Sequence, residues 1–286
     1  MKKIYTLLLI PIVFFFSCSC LDENEFGTSL ADNNLKGDVQ SVKHTIYNVS
    51  KKFGEIKPGS LCEKGYEHPL SFGFNYVLYE GYFEGSICKS TYDKNGMLLT
   101  KKWYDENKEL CNEVSNTYNN GVLIESNETT IYKYIPNSNY KSTYWYNQTT
   151  GKKQKEIINH DTNIITRQFE YTDSTETITT DGSKYYLVTH FKDGRPTLRI
   201  RYDSVGNETC ITNYNNHGFR ISYSEKGESD LEYKYNEYFD PISLIEDIDT
   251  YTFTYEYDKK KNWIKRITFK GNDPIFIETR EIIYFE

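Results

Sequence analysis

Histidine, methionine and proline are scarce in this 286-residue chain, at 5, 2 and 7 residues. His44, His68, His160, His190 and His217 are scattered, and no two stand at a spacing that suits zinc. They are expected to be ordinary surface or half-buried residues. No His-Glu-x-x-His, phosphate-binding glycine loop, nucleophile elbow or calcium loop occurs. Those motif-borne chemistries therefore have no foothold, and no metal, cofactor or enzymatic activity is expected. Carboxylate pairs such as Asp247 with Asp249 share a strand face and are read as a solvated acidic surface rather than an acid–base pair. Positive charge is not in excess, since 34 Lys and Arg stand against 41 Asp and Glu. Such a surface excludes a nucleic-acid footprint. The cysteines contain no Cys-x-x-Cys, which argues against zinc and thioredoxin-like chemistry. Cys62, Cys88, Cys111 and Cys210 permit three pairings, of which Cys62–Cys88 is the nearest in sequence and the one expected if any forms.

Long hydrophobic runs are confined to the beginning. Lys2 and Lys3 precede an apolar stretch from Tyr5 to Phe16, broken only by Thr6 and Pro11, and then come Ser17-Cys18-Ser19-Cys20. The run is shorter than the roughly 20 residues of a spanning helix and has the layout of a secretory signal. The segment resembles the signal of bacterial lipoproteins, in which a cysteine becomes the lipidated first residue. On that resemblance residues 1–17 are removed and Cys18 carries the lipid, with Cys20 as the alternative register. Multiple acyl chains, at about 0.8 kcal/mol per buried methylene, would make a stable membrane anchor. Residues 18–34 form an acidic tether, with Asp22, Glu23 and Glu25 close to the anchor. This cluster resembles the surface-export signal of lipoproteins in the Bacteroidota and implies an outer-membrane protein facing the cell exterior. Without residues 1–17 the chain keeps 32 basic and 41 acidic residues, a formal charge of −9.

What the chain has in abundance is tyrosine, 27 residues, in a composition with 16% aromatics and a mean hydropathy of −0.70. Tyrosine combines apolar area with a wettable tip, which suits half-buried sheets. From about residue 36 an aromatic residue followed by an Asp, Asn and Gly turn recurs. Tyr92-Asp93-Lys94-Asn95-Gly96, Tyr104-Asp105-Glu106-Asn107, Tyr118-Asn119-Asn120-Gly121, Phe191-Lys192-Asp193-Gly194, Tyr202-Asp203-Ser204-Val205-Gly206, Tyr214-Asn215-Asn216-His217-Gly218 and Tyr257-Asp258 are its copies. Lys108 and Lys261 stand where the turn glycine would fall, and the copies between Gly121 and Lys192 are degenerate. A spacing near twelve residues is one strand and one turn of an antiparallel meander. Alternation supports the strands: Tyr251, Phe253, Tyr255 and Tyr257 share one face and Thr252, Thr254 and Glu256 the other. Leu198 and Ile200 likewise oppose Arg199 and Arg201. No stretch after the signal has a helical period. The predicted fold is all-β, an antiparallel hairpin-repeat array, extended or curled, over residues 35–286. An irregular Gly-, Pro- and aromatic-rich segment at about 57–85 interrupts it, as a binding loop or as a cap for the first edge strand.

The aromatic-Asp-x-x-Gly units resemble the YD repeats of RHS-type proteins and the MORN-like hairpin arrays of their small bacterial relatives. Leu35 to Val42 and Tyr255 to Ile264 resemble the opening and closing segments of repeat lipoproteins from the Bacteroidota. The resemblance implies an antiparallel hairpin array and supplies no catalytic residues. Two roles follow. One is a non-catalytic surface lipoprotein presenting a Tyr-rich sheet to a protein or glycan partner; the other is a component of a toxin or immunity system, where related repeats occur. Trp103, Trp145 and Trp263 are the candidates for stacking on a sugar, against aromatic cross-strand pairing as the plainer explanation. Arg195, Arg199 and Arg201 are expected to pair with glutamates across strands. Asp203-Ser204-Val205 and Asp173-Ser174-Thr175 resemble O-glycosylation sites of exported Bacteroidota proteins, which makes Ser204 and Ser174 candidate modification sites.

Overall fold

A computed structural model of the protein describes residues 30, 34–62, 86–131, 138–160 and 163–286. Cys18, Cys20 and most of the proposed signal and tether lie outside them. Among the described residues there are nineteen strands and no helix. In chain order they are β1 Val39–Lys52, β2 Glu55–Leu61, β3 Ile87–Tyr92, β4 Leu98–Tyr104, β5 Leu110–Asn119, β6 Val122–Thr130, β7 Ser138–Tyr146, β8 Lys153–His160, β9 Asn163–Tyr171 and β10 Thr175–Thr180. They continue as β11 Tyr185–Lys192, β12 Arg195–Asp203, β13 Glu208–Tyr214, β14 Arg220–Glu225, β15 Leu231–Tyr235, β16 Pro241–Glu246, β17 Asp249–Tyr257, β18 Trp263–Lys270 and β19 Asp273–Tyr284.

From β3 to β19 each strand pairs antiparallel with the next. The array does not stay open, which corrects the expectation of an extended or curled sheet. β1 holds β19 along one edge, with His44 opposite Arg280, and β3 along the other, with His44 opposite Cys88. Eighteen strands thus close into a barrel, and β2 extends the second edge of β1 beyond β3. Closure removes the unpaired edges that a hairpin array would otherwise expose. The segment expected to be irregular from 57 begins as strand, since Lys57 and Pro58 of β2 pair with Ser50 and Val49. Residues 63–85 lie outside the described set. Cys62 and Cys88 are not joined: Cys88 faces His44 in the β1–β3 ladder, while the Cys62 N–H donates to Ile46, further along β1.

The repeated turn motif has a common physical basis. In the turns beginning at Asp93, Asp105, Asp203, Asn215, Asn236 and Asp258, the first residue's N–H donates to the carbonyl four residues on. Its carbonyl accepts from the residue three on. Its side-chain Oδ1 accepts backbone N–H groups from inside the turn, such as Lys260 and Asn262 at Asp258, both at 2.9 Å. The preceding tyrosine marks a register shift in each case. This is a type I turn with a left-handed residue and a bulge. Glycine fills the left-handed position at Gly96, Gly206 and Gly218, but Lys108, Phe239 and Lys261 adopt it too, at φ of 67°, 64° and 68°. The lysines therefore keep the register of the motif. Asn120-Gly121 and Asp193-Gly194 belong to a different class, two-residue turns with both φ positive, and Phe53-Gly54 joins them.

Register also sorts the two faces. Tyr251, Phe253 and Tyr255 pair with Lys270, Thr268 and Arg266, which face Phe276 and Glu278 on β19. This inner face holds the Leu231, Tyr233, Leu244 and Phe253 cluster, with Tyr223, Tyr235, Tyr251 and Tyr255 against it. A row from Glu176 through Thr189 and Arg199 to Thr212 crosses β10–β13 in register, and all four are buried. A round 18-strand barrel leaves an aqueous channel, yet water is excluded from these inward residues. On β15 and β17 the outer face is polar: Thr250, Thr252, Thr254 and Glu256 on β17, and Glu232 and Lys234 on β15, are exposed. On β15 and β17 tyrosine therefore faces inward, while Tyr186 and Tyr202 stack on the outer side of β11 and β12. On β12 the arginines point in and Leu198 and Ile200 out.

The chain enters at one end. Leu35, Val39, Val42, Tyr92 and Leu98 form a core there, with Leu30, Ile282 and Tyr284 packed on it. Asn34 donates to Asp240 at 2.9 Å, and the Lys36 N–H donates to Asn262 Oδ1 at 2.7 Å. The lead-in to β1 thus straps over the turns before β16 and β18. In the β4–β5 turn, exposed Lys108 occupies a left-handed position that costs an L-residue roughly 1–2 kcal/mol, partly offset in glycine by its unfolded-state entropy. Lys108→Gly is expected to raise stability by about 0.5–1 kcal/mol and Gly206→Ala to lower it by about 1 kcal/mol, measured as opposite shifts in urea midpoint at constant slope.

Candidate functional site

The inner wall where β18, β19 and β1 meet carries the densest buried chemistry of the described residues. Alternation on β19 puts Phe276, Glu278, Arg280 and Ile282 on this one face, so an acid and a base stand between two apolar residues. Arg266 on β18 grips Glu278 with Nε and Nη2, and His44 Nε2 lies 2.9 Å from Glu278 Oε1. The Glu278 side chain is only 1% exposed. Burial opposes charge on Arg266, but Glu278 overrides it and drives the guanidinium further toward its charged form. Burial lowers His44 to about 4 despite Glu278. The imidazole is therefore neutral at pH 7 and donates from Nε2 to the carboxylate.

Both arginines lie over Trp263, with Arg280 Cζ 3.7 Å and Arg266 Cζ 4.9 Å from its ring centroid. His44 meets it edge-on at 5.3 Å. Arg280 is half-buried, and its Nε and Nη1 are shielded from water with no hydrogen-bond partner among the described residues. Burial and the Arg266 charge bring Arg280 down to about 10.

Beside this cluster, under the strap, lies a second polar group. Asp240 accepts from Asn34 at 2.9 Å and from Tyr257 OH at 3.0 Å, and burial raises its carboxyl. Asn236 donates to Tyr257 OH at 2.7 Å, and Asn262 donates to Tyr284 OH at 2.8 Å. Burial and the hydrogen bond to Asp258 push Tyr284 up to about 12. Elsewhere on the inner face Arg167 donates to Glu156 at 3.0 Å, and Arg201 pairs with Glu225, which also accepts from Tyr223.

Most of these groups satisfy one another, and Arg280 is the exception. Cys88 lies opposite His44 in register, yet burial raises its thiol, and the imidazole beside it is neutral. A reactive cysteine has its thiolate favoured. Among the described residues no group of three or more His, Cys, Asp or Glu is placed to hold a metal. Asp247 and Asp249 do not act as a pair: Asp247 accepts from Ser229 in the turn, and Asp249 binds Lys270 at 2.6 Å.

The tryptophans are not brought together. Trp263 is buried with Arg280 on its ring, and Trp103 is opposite Cys88 on the inner face. Trp145 is exposed on the outside, opposite Lys155. Ser174 and Ser204 are both exposed in turns, at opposite ends of the barrel. Arg195 donates to the Asn216 carbonyl at 3.0 Å, whereas Arg199 donates to Thr189 at 2.8 Å and Arg201 meets Glu225. His44 was expected to be an ordinary surface or half-buried histidine, and no motif in the sequence singled out Arg266, Glu278 or Arg280. The available signal was the parity of Glu278 and Arg280 with Phe276 and Ile282.

No family model matches the chain, and no curated protein matches it. Solved structures do. A crystal structure described as a porin-like protein from Bacteroides uniformis ATCC 8492 aligns with 87% of this chain and 98% of its own, at 8% identity and a TM-score of 0.37. The TcdB2-TccC3-Cdc42 structure aligns with 85% of this chain at 17% identity and a TM-score of 0.26, and TcdB2-TccC3-TEV with 80% at 16% and 0.23. In both of these the match takes in 11% of the other chain. At these scores the description of the barrel rests on its own strand pairing.

Removing one member of a buried pair strands the other charge. Glu278→Ala is expected to cost about 3–5 kcal/mol in chemical denaturation, far more than breaking the exposed Lys51–Asp273 pair. His44 gives a pH signature. Its folded pKa is below the unfolded value, so its neutral form contributes stability above the unfolded pKa of about 6.5. That contribution fades as pH falls toward about 4. His44→Gln should flatten the pH dependence across that window.

Proposed function

We propose that the protein is a non-catalytic binding or structural barrel of the bacterial outer membrane, held by a lipid at Cys18 and displayed toward the cell exterior. The polar outward side of β15 and β17 supports this reading. A membrane-spanning barrel needs an outward apolar band about 25 Å tall, whereas β15 and β17 turn Glu232, Lys234, Thr252, Thr254 and Glu256 outward. A barrel with this exterior reaches a membrane through an anchor, and the lipoprotein-like start of the chain offers one. Asn34 and Lys36 lie at the end of the barrel where β1 begins, and a tether leading into them would leave from that end.

The opposite end supplies the contact surface. Phe53 is fully exposed, and Ile248, Val205 and Ile164 are 97%, 79% and 70% exposed. All four sit at or beside turns on that end, at β1–β2, β16–β17, β12–β13 and β8–β9. Apolar tips favour a protein partner over a glycan, which would ask for hydrogen-bonding groups.

Cell fractionation tests the anchor. The full chain is expected in the outer-membrane fraction, removable by protease on intact cells, and Cys18→Ala should move it to the soluble periplasm. A protein that stays in the membrane after both Cys18→Ala and Cys20→Ala would overturn the tethered reading. Combined Phe53→Ser, Val205→Ser and Ile248→Ser should abolish partner capture while leaving the urea midpoint within about 0.5 kcal/mol equivalents, as expected for surface substitutions.

A further inference from the structure

Arg280 stands out among the charged groups of the inner wall because its neighbours are already engaged. Glu278 accepts from Arg266 and His44, and Asp240 accepts from Tyr257 and Asn34. Arg280 has no hydrogen bond to either, and its Nε and Nη1 are closed off from water. Formal charge in the cluster is balanced, with Arg266 and Arg280 against Glu278 and Asp240. What Nε and Nη1 lack, among the described residues, is an acceptor. A charged donor shielded from water without one is among the costlier arrangements in a protein.

The guanidinium also packs against an aromatic ring. Its Cζ stacks 3.7 Å above Trp263, and Trp263 is itself fixed by His44 and Tyr255 at ring distances of 5.3 and 6.2 Å. A stacked guanidinium keeps its N–H groups directed outward in its own plane, the geometry that suits carboxylate and phosphate oxygens. Arg266, on the same wall, adds to the positive potential at that point. We propose that Arg280, stacked on Trp263, is an oxyanion-binding position inside the barrel, completed by the carboxylate or phosphate group of a small ligand. The site is independent of where in the cell the protein resides.

The test uses the full chain at pH 7 and constant ionic strength in chloride, titrated with inorganic phosphate or with acetate. Wild type is expected to show a saturable rise in melting temperature and a saturable change in tryptophan emission that Trp263→Phe removes. Arg280→Met keeps a side chain on Trp263 but no charge, and should lose both responses while melting at or above wild type in chloride. Phosphate at high concentration stabilises proteins in general by exclusion, so saturation and loss in Arg280→Met mark the site. A response to phosphate alone assigns a phosphate-type ligand, and one to acetate alone a carboxylate; both support the site. Should Arg280→Met fail to fold, Arg280→Lys carries the comparison, with its response displaced to higher concentration. No saturable response in wild type, or an equal one in the Arg280 variants, overturns the proposal.

Discussion

Both edges of β1 are occupied, and the rest of the structure depends on that. Every other neighbouring pair around the ring is a hairpin or a short return between consecutive strands, made from local contacts. Such pairs alone give an open array whose two ends recruit further strands. The β1–β19 ladder joins residues about as far apart as this chain allows, with His44 meeting Glu278 across 234 positions. Loop-closure entropy grows slowly with length, so the cost of that join is modest beside the edges it removes. The length of β1 is what makes it possible, since its 14 residues carry β3 on one part of an edge and β2 on the next.

Closure gives the inner face its unusual chemistry. Once the sheet has an inside, side chains of one parity must be accommodated there, including Glu156, Arg167, Arg199, Arg266 and Glu278. Buried ion pairs add little net stability over apolar packing of the same shape. Their effect here is on register. A one-residue slip of β18 against β19 would turn Arg266 outward, bring Ile267 in and leave Glu278 buried without its partner. Tyrosine and arginine fill the remaining space with long side chains, and several of their polar ends find acceptors, as Tyr235 and Tyr255 do on the Arg220 and Pro241 carbonyls. An interior built this way stays compatible with a low apolar fraction.

Much of the local structure was legible because it is local. Asp93 or Asp258 followed by a left-handed residue three positions on is a turn whose hydrogen bonds lie within five residues, so its signature survives in sequence. Glycine was only the usual filler of the left-handed position, and Lys108, Phe239 and Lys261 show the aspartate or asparagine cap to be the more constant feature. Phe239 in that position is compensated by stacking on Phe219, with ring centroids 5.0 Å apart. Closure was not legible, because pairing of β1 with β19 leaves no local trace. The facing of β12 was not legible for a related reason. Alternation separates Leu198 and Ile200 from Arg199 and Arg201, but hydropathy favours the wrong pair for the interior. Only the acceptors on neighbouring strands, Thr189 and Glu225, decide it.

The two ends of the barrel are unlike, and that gives the molecule a direction. At the entry end the strap covers apolar residues, burying Leu35 and Val39 against Tyr92 and Leu98. At the other end the apolar tips Ile164, Val205, Ile248 and Phe53 recur about every four strands, separated by polar turns such as Asp181-Gly182-Ser183-Lys184 and Gly271-Asn272. Strands lie about 4.8 Å apart, so neighbouring tips stand on the order of 19 Å apart along the rim. Tips so spaced do not merge into one apolar patch, and a small ligand could touch only one of them. Phe53 adds backbone strain, since it holds φ at 53° in a turn position that ordinarily takes Asn, Asp or Gly. Strain and full exposure at the same residue are difficult to attribute to folding. The proposed protein partner would have to be broad, wide enough to meet several tips at once.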